Sequence, residues 1–370
     1  MDSSGGLLQS LKGLFKWNKA RLFCLAGILL ALITVRTVNL REIAVAFSGE
    51  ALLDSRYKRL CRFFAYFKID FTLIARWIFS LYFSEGDKIY LTIDRTNWYW
   101  GKSKINVLTL GVTYEGMAIP LFWRALDKAG NASAEEHIAI IQRFIDTFGF
   151  KCIAGILADR EFGSHELFSW CNRKTYKIPF YIRIKDNALV RIVKSKGKGR
   201  HVKKLFNALN PKEHSAYPYP VELYGTTVYV AGSRSETGEL MVVVTNQPPN
   251  NAIAIYLRRW EIETLFSCLK ERGFNFEATR LTHRERIDKL MGLLAMAIAW
   301  VHKIGEWHAE IKPIKFKQYK NGQRRPQYSY FRYGLDFIRD ILFHIHSKEK
   351  QFQECLALLM PRIEELQEVT

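Results

Sequence analysis

From the start of the chain to about residue 85, leucine, isoleucine, valine and phenylalanine recur at helical spacing with almost no strand signal, so an all-helical region is expected. Asn39, with Glu42 three residues on, can cap a helix running to about Phe47. Ser48-Gly49-Glu50 breaks the pattern, and a second helix from about Asp54 to Phe67 carries Arg56, Lys58, Arg59 and Arg62 among its apolar residues. Two short helices around a glycine-containing turn, the second basic, suit a DNA-binding helix-turn-helix or an ordinary helical hairpin with a solvated face. The apolar runs Leu22 to Val35 and Leu290 to Val301 fall short of the roughly 20 residues that span a membrane and are expected as buried core helices. No membrane partner is expected.

After Gly86 the texture changes to alternating, β-branched and aromatic-rich segments. Lys88 to Asp94, Ile105 to Tyr114 and Met117 to Ala125 predict a three-strand meander. A helix over about Ser133 to Phe148, a strand at Cys152 to Ala158, a helix over about Ser164 to Lys174 and a strand at Pro179 to Lys185 follow. Three antiparallel strands and then alternating helices and strands is an α/β layout with the element order of an RNase H-like core. From about Asn187 to Gln247 the pattern shifts to a basic loop with Arg191, Lys194, Lys196, Lys198, Arg200, Lys203 and Lys204, then strands near Thr226 to Ala231 and Leu240 to Thr245. This reads as a β-rich insertion. A long helix over about Asn251 to Arg272 resumes the core, and another runs from about Arg284 to Trp307. The expected organisation is therefore a helical region (1–85), the first part of an α/β core (86–186), the insertion (187–248), the last part of the core (249–310) and a basic, helical C-terminal region (311–370).

Composition changes this picture in one direction. Lys and Arg number 55 against 36 Asp and Glu, a formal charge of +19, which points to a phosphate-rich partner and above all nucleic acid. Near the C-terminus, Lys315, Lys317, Arg324 and Arg325 interleave with Phe316, Tyr319, Tyr328 and Tyr330, a mixture suited to a nucleic-acid backbone. The six cysteines form no C-x-x-C pair, so neither a zinc site nor a disulfide framework is expected, and a reducing cytoplasm fits.

Candidate chemistry rests on three carboxylates. Asp94 closes the strand I-Y-L-T-I-D and Asp159 the strand C-I-A-G-I-L-A-D, at the carboxyl edge where α/β sheets place ligands. In an RNase H-like order these strands are neighbours. In the helix Tyr256 to Lys270, at about 100° per residue, Tyr256, Arg259, Glu263 and Lys270 fall within roughly 60° of one another. Trp260, Ile262, Leu265, Phe266, Cys268 and Leu269 cover the rest, so the polar stripe is expected to face a cleft. Converging carboxylates repel unless cations sit between them. Mg²⁺ suits oxygen ligands, Mn²⁺ can substitute, and two such ions would serve an in-line phosphoryl displacement. Arg259 and Lys270 would hold flanking phosphates.

The spacing Tyr256-x2-Arg259-x3-Glu263-x6-Lys270, the motifs I-D-R-T-N-W at Asp94 and A-D-R-E-F at Asp159, and the segment S-Y-F-R-Y-G-L-D-F from Ser329 resemble the bacterial insertion-sequence transposases of the DDE class, over roughly residues 85–345. The resemblance implies a metal-binding triad of Asp94, Asp159 and Glu263, with Tyr256, Arg259 and Lys270 on the phosphates of the transposon end. It implies a homodimer on paired terminal inverted repeats that exposes a 3′-hydroxyl and joins it to target DNA, in a cut-and-paste reaction. Hairpin-forming relatives stack a flipped base on a Trp of the inserted subdomain. This chain has no Trp between Trp170 and Trp260, so cleavage and strand transfer are implied and the hairpin step is not. Two rival readings are a tyrosine recombinase with Tyr256 as nucleophile, which leaves the three carboxylates without a role, and a DNA-binding transposase relic without chemistry.

Overall fold

Five helices precede the first strand: α1 (Ser3–Leu14), α2 (Lys19–Val35), α3 (Leu40–Ala46), α4 (Leu53–Tyr66) and α5 (Phe71–Tyr82). The computed structural model describes residues 3–128, 130–193, 198–318 and 322–360. Lys194, Lys196 and Tyr319, expected in the basic loops, lie outside them. Asn39 caps α3 by accepting from the Arg41 N–H, as its position before the periodic run predicts. α2 is apolar all round and buried along most of its length, the behaviour of a core helix. No single helix among the described residues is long and apolar enough to cross a membrane.

The meander β1 (Ile89–Trp100), β2 (Ser103–Tyr114) and β3 (Met117–Ala125) leads into α6 (Ala134–Phe148), β4 (Ile153–Ala158), α7 (His165–Cys171) and β5 (Phe180–Ile184). Next come β6 (Leu189–Ile192), β7 (Arg200–His201), β8 (His214–Ala216), β9 (Val221–Leu223), β10 (Thr226–Arg234) and β11 (Leu240–Thr245). The described residues close with α8 (Ala252–Leu257), α9 (Trp260–Leu269), α10 (Arg284–Ile311), the hairpin β12 (Phe316–Gln318) and β13 (Arg324–Pro326), α11 (Tyr330–Phe343) and α12 (Glu349–Ala357).

The architecture is mixed α/β with helical flanks around one large mixed sheet. Its order begins β3-β2-β1-β4-β5, with β1 antiparallel to β2 and parallel to β4, and β4 parallel to β5. The same sheet then continues through β11, β10, β9 and β6, because β11 pairs antiparallel with β5 from Val242↔Ile184 to Thr245↔Tyr181. The segment expected as an insertion thus extends the sheet at the β5 edge.

Side-chain alternation along β3 divides the flanking helices. Phe122 packs towards Phe148 of α6. Trp123, on the other face, donates its indole N–H to the Asp288 carbonyl of α10. Thr109, the β2 partner of Trp123, is also the partner of Asp94, so Asp94 lies on the α10 side. α9 packs on the same meander.

Candidate active site

The parallel ladder between β1 and β4 ends at Ile93↔Ala158. Asp94 and Asp159 are the next residues on these neighbouring strands, so a register set by apolar residues brings two carboxylates side by side. Sequence alternation ends the first strand at Asp94, but β1 runs on to Trp100 paired with β2. What stops at Asp94 is the parallel pairing. Burial raises the Asp94 carboxyl to about 6, against the lowering effects of the Arg95 N–H and Arg259.

Glu263 arrives from the far end of the sequence. The expected single helix over Asn251 to Arg272 is two, α8 and α9, joined where Arg258 and Arg259 bond three residues back instead of four. The tightened turn rotates α9, leaving Trp260 and Leu257 exposed, whereas the sequence reading puts Trp260 in the apolar cover. Tyr256 and Arg259 become buried, at 3% and 8% exposure.

Arg259 is the hub of the site. One terminal nitrogen bonds Glu263 Oε1 at 2.5 Å, the other lies 3.4 Å from Asp94 Oδ2, and Nε donates to the Tyr256 hydroxyl at 3.1 Å. That hydroxyl reaches Asp159 Oδ1 at 3.5 Å. All three carboxylates therefore meet one buried guanidinium–phenol pair. Burial pushes the Tyr256 hydroxyl up to about 12, which makes it a hydrogen-bond donor and a poor nucleophile. Lys270, expected on the same stripe, bonds Glu277 at 2.6 Å beyond the end of α9.

Among the described residues no three His, Cys, Asp or Glu groups are gathered tightly enough to enclose a metal ion directly; Arg259 stands between the acids. The donor set nevertheless fits a hard divalent cation, because the acids present carboxylate oxygens only; Arg259, which balances their charge here, would give way to it.

Two site residues have no role in the sequence reading. Arg95 grips Glu161 with two bonds, Nε to Oε1 at 2.7 Å and a terminal nitrogen to Oε2 at 2.9 Å, and also bonds Asn131. It points to the opposite face from Asp94, so it ties the two strand ends together beneath the aspartates. The available signal is the repeated Asp-Arg dipeptide, at Asp94-Arg95 and Asp159-Arg160, combined with strand alternation.

The remaining expected DNA contacts divide. Arg56 donates to the Phe47 carbonyl at 2.6 Å and to Val45 at 3.3 Å, binding α4 to the end of α3. Arg59 is exposed on α4, and Lys315, Lys317, Arg324 and Arg325 are exposed on and beside the β12–β13 hairpin.

A family model described as a transposase DDE domain matches residues 91–300. No curated protein matches the chain. Among solved structures, it is similar to one described as the cryo-EM structure of piggyBac transposase synaptic complex with hairpin DNA, at 11% identity and a TM-score of 0.47, covering 94% of this chain and 77% of that one.

Proposed function

Since the chain belongs to the transposase DDE domain family and is a DDE-type DNA transposase, we propose that Asp94, Asp159 and Glu263 are its catalytic triad, acting in the cytoplasm on double-stranded DNA. The observation that carries this reading is the convergence of two strand-end aspartates and one helical glutamate, remote in sequence, on Arg259 and Tyr256. The spacing from Tyr256 to Lys270 favours the bacterial insertion-sequence branch with that signature. The strand order supports an RNase H-like core of residues 86–186 and 249–310, interrupted by the insertion 187–248.

The three carboxylates would hold Mg²⁺, with Mn²⁺ as substitute and two ions as the working number. When bound, such ions activate the attacking oxygen and neutralise the leaving one. Arg259 orients Asp94 and Glu263, and its planar fork suits exchange of a carboxylate for a backbone phosphate. Tyr256 holds the Asp159 carboxylate through its hydroxyl. Lys270, exposed enough to leave Glu277, is a second phosphate contact. Arg59, Lys315, Lys317, Arg324 and Arg325 extend the DNA surface, and Arg56 fixes the α3–α4 turn that presents Arg59. The substrates in this reading are terminal inverted repeats and target DNA, bound by a homodimer that cuts and pastes.

Glu263→Gln keeps shape and removes the charge. It is expected to abolish nicking and strand transfer in Mg²⁺ while leaving end binding within a few-fold of wild type, measured by gel shift and by cleavage of labelled duplex. Cleavage that persists in the variant would remove Glu263 from the triad.

A further inference from the structure

We propose that the projecting tip of the β1–β2 ribbon is a DNA-contacting element that engages the duplex about six base pairs from the bond being cut; this rests on the reading of Asp94 as a catalytic residue.

The ribbon leaves the sheet on both sides. β4 pairs with β1 only as far as Ile93, and β3 pairs with β2 only from Val107 onward. The β1–β2 pairing alone continues to Trp100↔Ser103. A two-stranded ribbon is marginal in water unless something packs on it. Here Trp98 serves that purpose, its ring 4.6 Å from Phe276 in the segment after α9. The anchored ribbon carries an exposed tip: Tyr99 is 66% exposed and Trp100 38% exposed, beside a tight turn at Gly101, whose φ of 55° favours glycine.

Charge selects the partner. Lys104 lies over the Tyr99 ring at 5.6 Å, Arg280 reaches across to the Trp100 ring at 5.9 Å, and Lys102 stands exposed at the turn. From Arg95 to Ile105 the chain contains no Asp or Glu. The cations can meet duplex phosphates, and the exposed rings beside them offer apolar contact to base edges such as the thymine methyl. A two-stranded ribbon also has the width that the major groove admits. A second protein copy would need apolar complementarity, which a tip of two rings and three cations does not offer.

The register sets the distance. Asp94, Thr96, Trp98 and Trp100 share one face of β1 by alternation. At about 3.3 Å per residue, Trp100 stands about 20 Å from Asp94, or about six steps of a duplex rising 3.4 Å per base pair.

The test places the photo-crosslinking residue p-benzoylphenylalanine at Lys102 in the full-length protein, bound to a duplex carrying an end sequence that the enzyme cuts. Crosslinks are mapped by primer extension against the cleavage position read in the same sample. The expected crosslinks lie four to eight base pairs from the cut. Trp100→Ala should weaken binding several-fold while Trp100→Phe stays near wild type, and Lys102→Ala should lower the salt slope of binding by about one. Exposure of these side chains means melting temperatures should hold, which thermal unfolding checks. Crosslinks only to another protein copy, only beyond ten base pairs, or to no DNA would overturn the inference while cleavage in the same tube still supports the triad. Cleavage by an Asp94→Asn variant would instead remove the reading it rests on.

Discussion

At the scale of single residues, two kinds of buried polar group carry different consequences. Arg95 and Glu161 form a two-point ion pair with only 12% and 21% of their side chains exposed, where removing one partner strands the other. Arg95→Ala is expected to cost roughly 1–3 kcal/mol of stability and Arg95→Lys less, because the amine keeps charge and loses the fork. The double variant with Glu161→Ala should cost less than the sum, measured by urea unfolding as a double-mutant cycle; additive losses would mean the pair does not act as a unit. His302 differs because it is buried neutral, ringed by Tyr82, Tyr114 and Tyr330. Burial lowers it from 6.5 to about 4, so the unfolded chain binds a proton that the folded chain refuses. Its favourable contribution is complete above about pH 6.5 and is lost as pH falls towards 4. The melting temperature should decline over that window, and His302→Gln should flatten the decline. An unchanged profile would locate acid sensitivity elsewhere, with His137, lowered likewise to about 4 by burial, the next group to test.

At the scale of elements, the seam between α10 and α11 depends on two missing side chains. A Cβ at Gly305 would sit 1.8 Å from the Tyr330 carbonyl oxygen, and one at Gly334 would sit 2.0 Å from the Val301 carbonyl oxygen. No rotamer relieves a clash with backbone, so the helices must separate. Gly334→Ala is therefore expected to destabilise by about 3 kcal/mol or more, whereas alanine at exposed Gly5 of α1, with open space around it, should not destabilise. Calorimetry of the two variants decides the point. The same contact explains why S-Y-F-R-Y-G-L-D-F forms a helix seated on α10: Ser329 caps it by accepting from the Arg332 N–H, and its glycine allows the close approach. At the junction of α8 and α9, a few shortened hydrogen bonds decide which residues face the carboxylates and which, like Trp260, face out.

For the whole molecule, the charge of +19 and the spread of exposed cations predict DNA binding dominated by counterion release. Raising salt from about 50 to about 200 mM should weaken end binding by on the order of 10³-fold if some six phosphates are met. Lys317→Ala and Arg325→Ala, cross-strand partners on the β12–β13 hairpin, should each reduce the slope of log affinity against log salt by about one. A slope unchanged in both would remove the hairpin from the DNA surface. Continuity of the sheet from β5 into β11 adds a mechanical point: the extension and the strands that carry Asp94 and Asp159 belong to one hydrogen-bonded sheet, so the two are held in fixed relation to each other.

Local pattern alone determined much of this protein. Period-two alternation marked the meander, Asn39 marked the start of α3, and the apolar runs before Asp94 and Asp159 marked where the parallel pairing of β1 and β4 stops. These features are short-range, set by a residue and its near neighbours. The spacing of Tyr256, Arg259 and Glu263 was legible too, but the break between α8 and α9 sets the direction in which each points. Tertiary structure alone decided that Arg259 turns inward to the acids, that Lys270 pairs with Glu277, that Arg95 meets Glu161, and that the inserted strands extend the sheet. Each is a pairing between segments distant along the chain, where side-chain direction depends on strand register and on how burial makes a charge seek its partner.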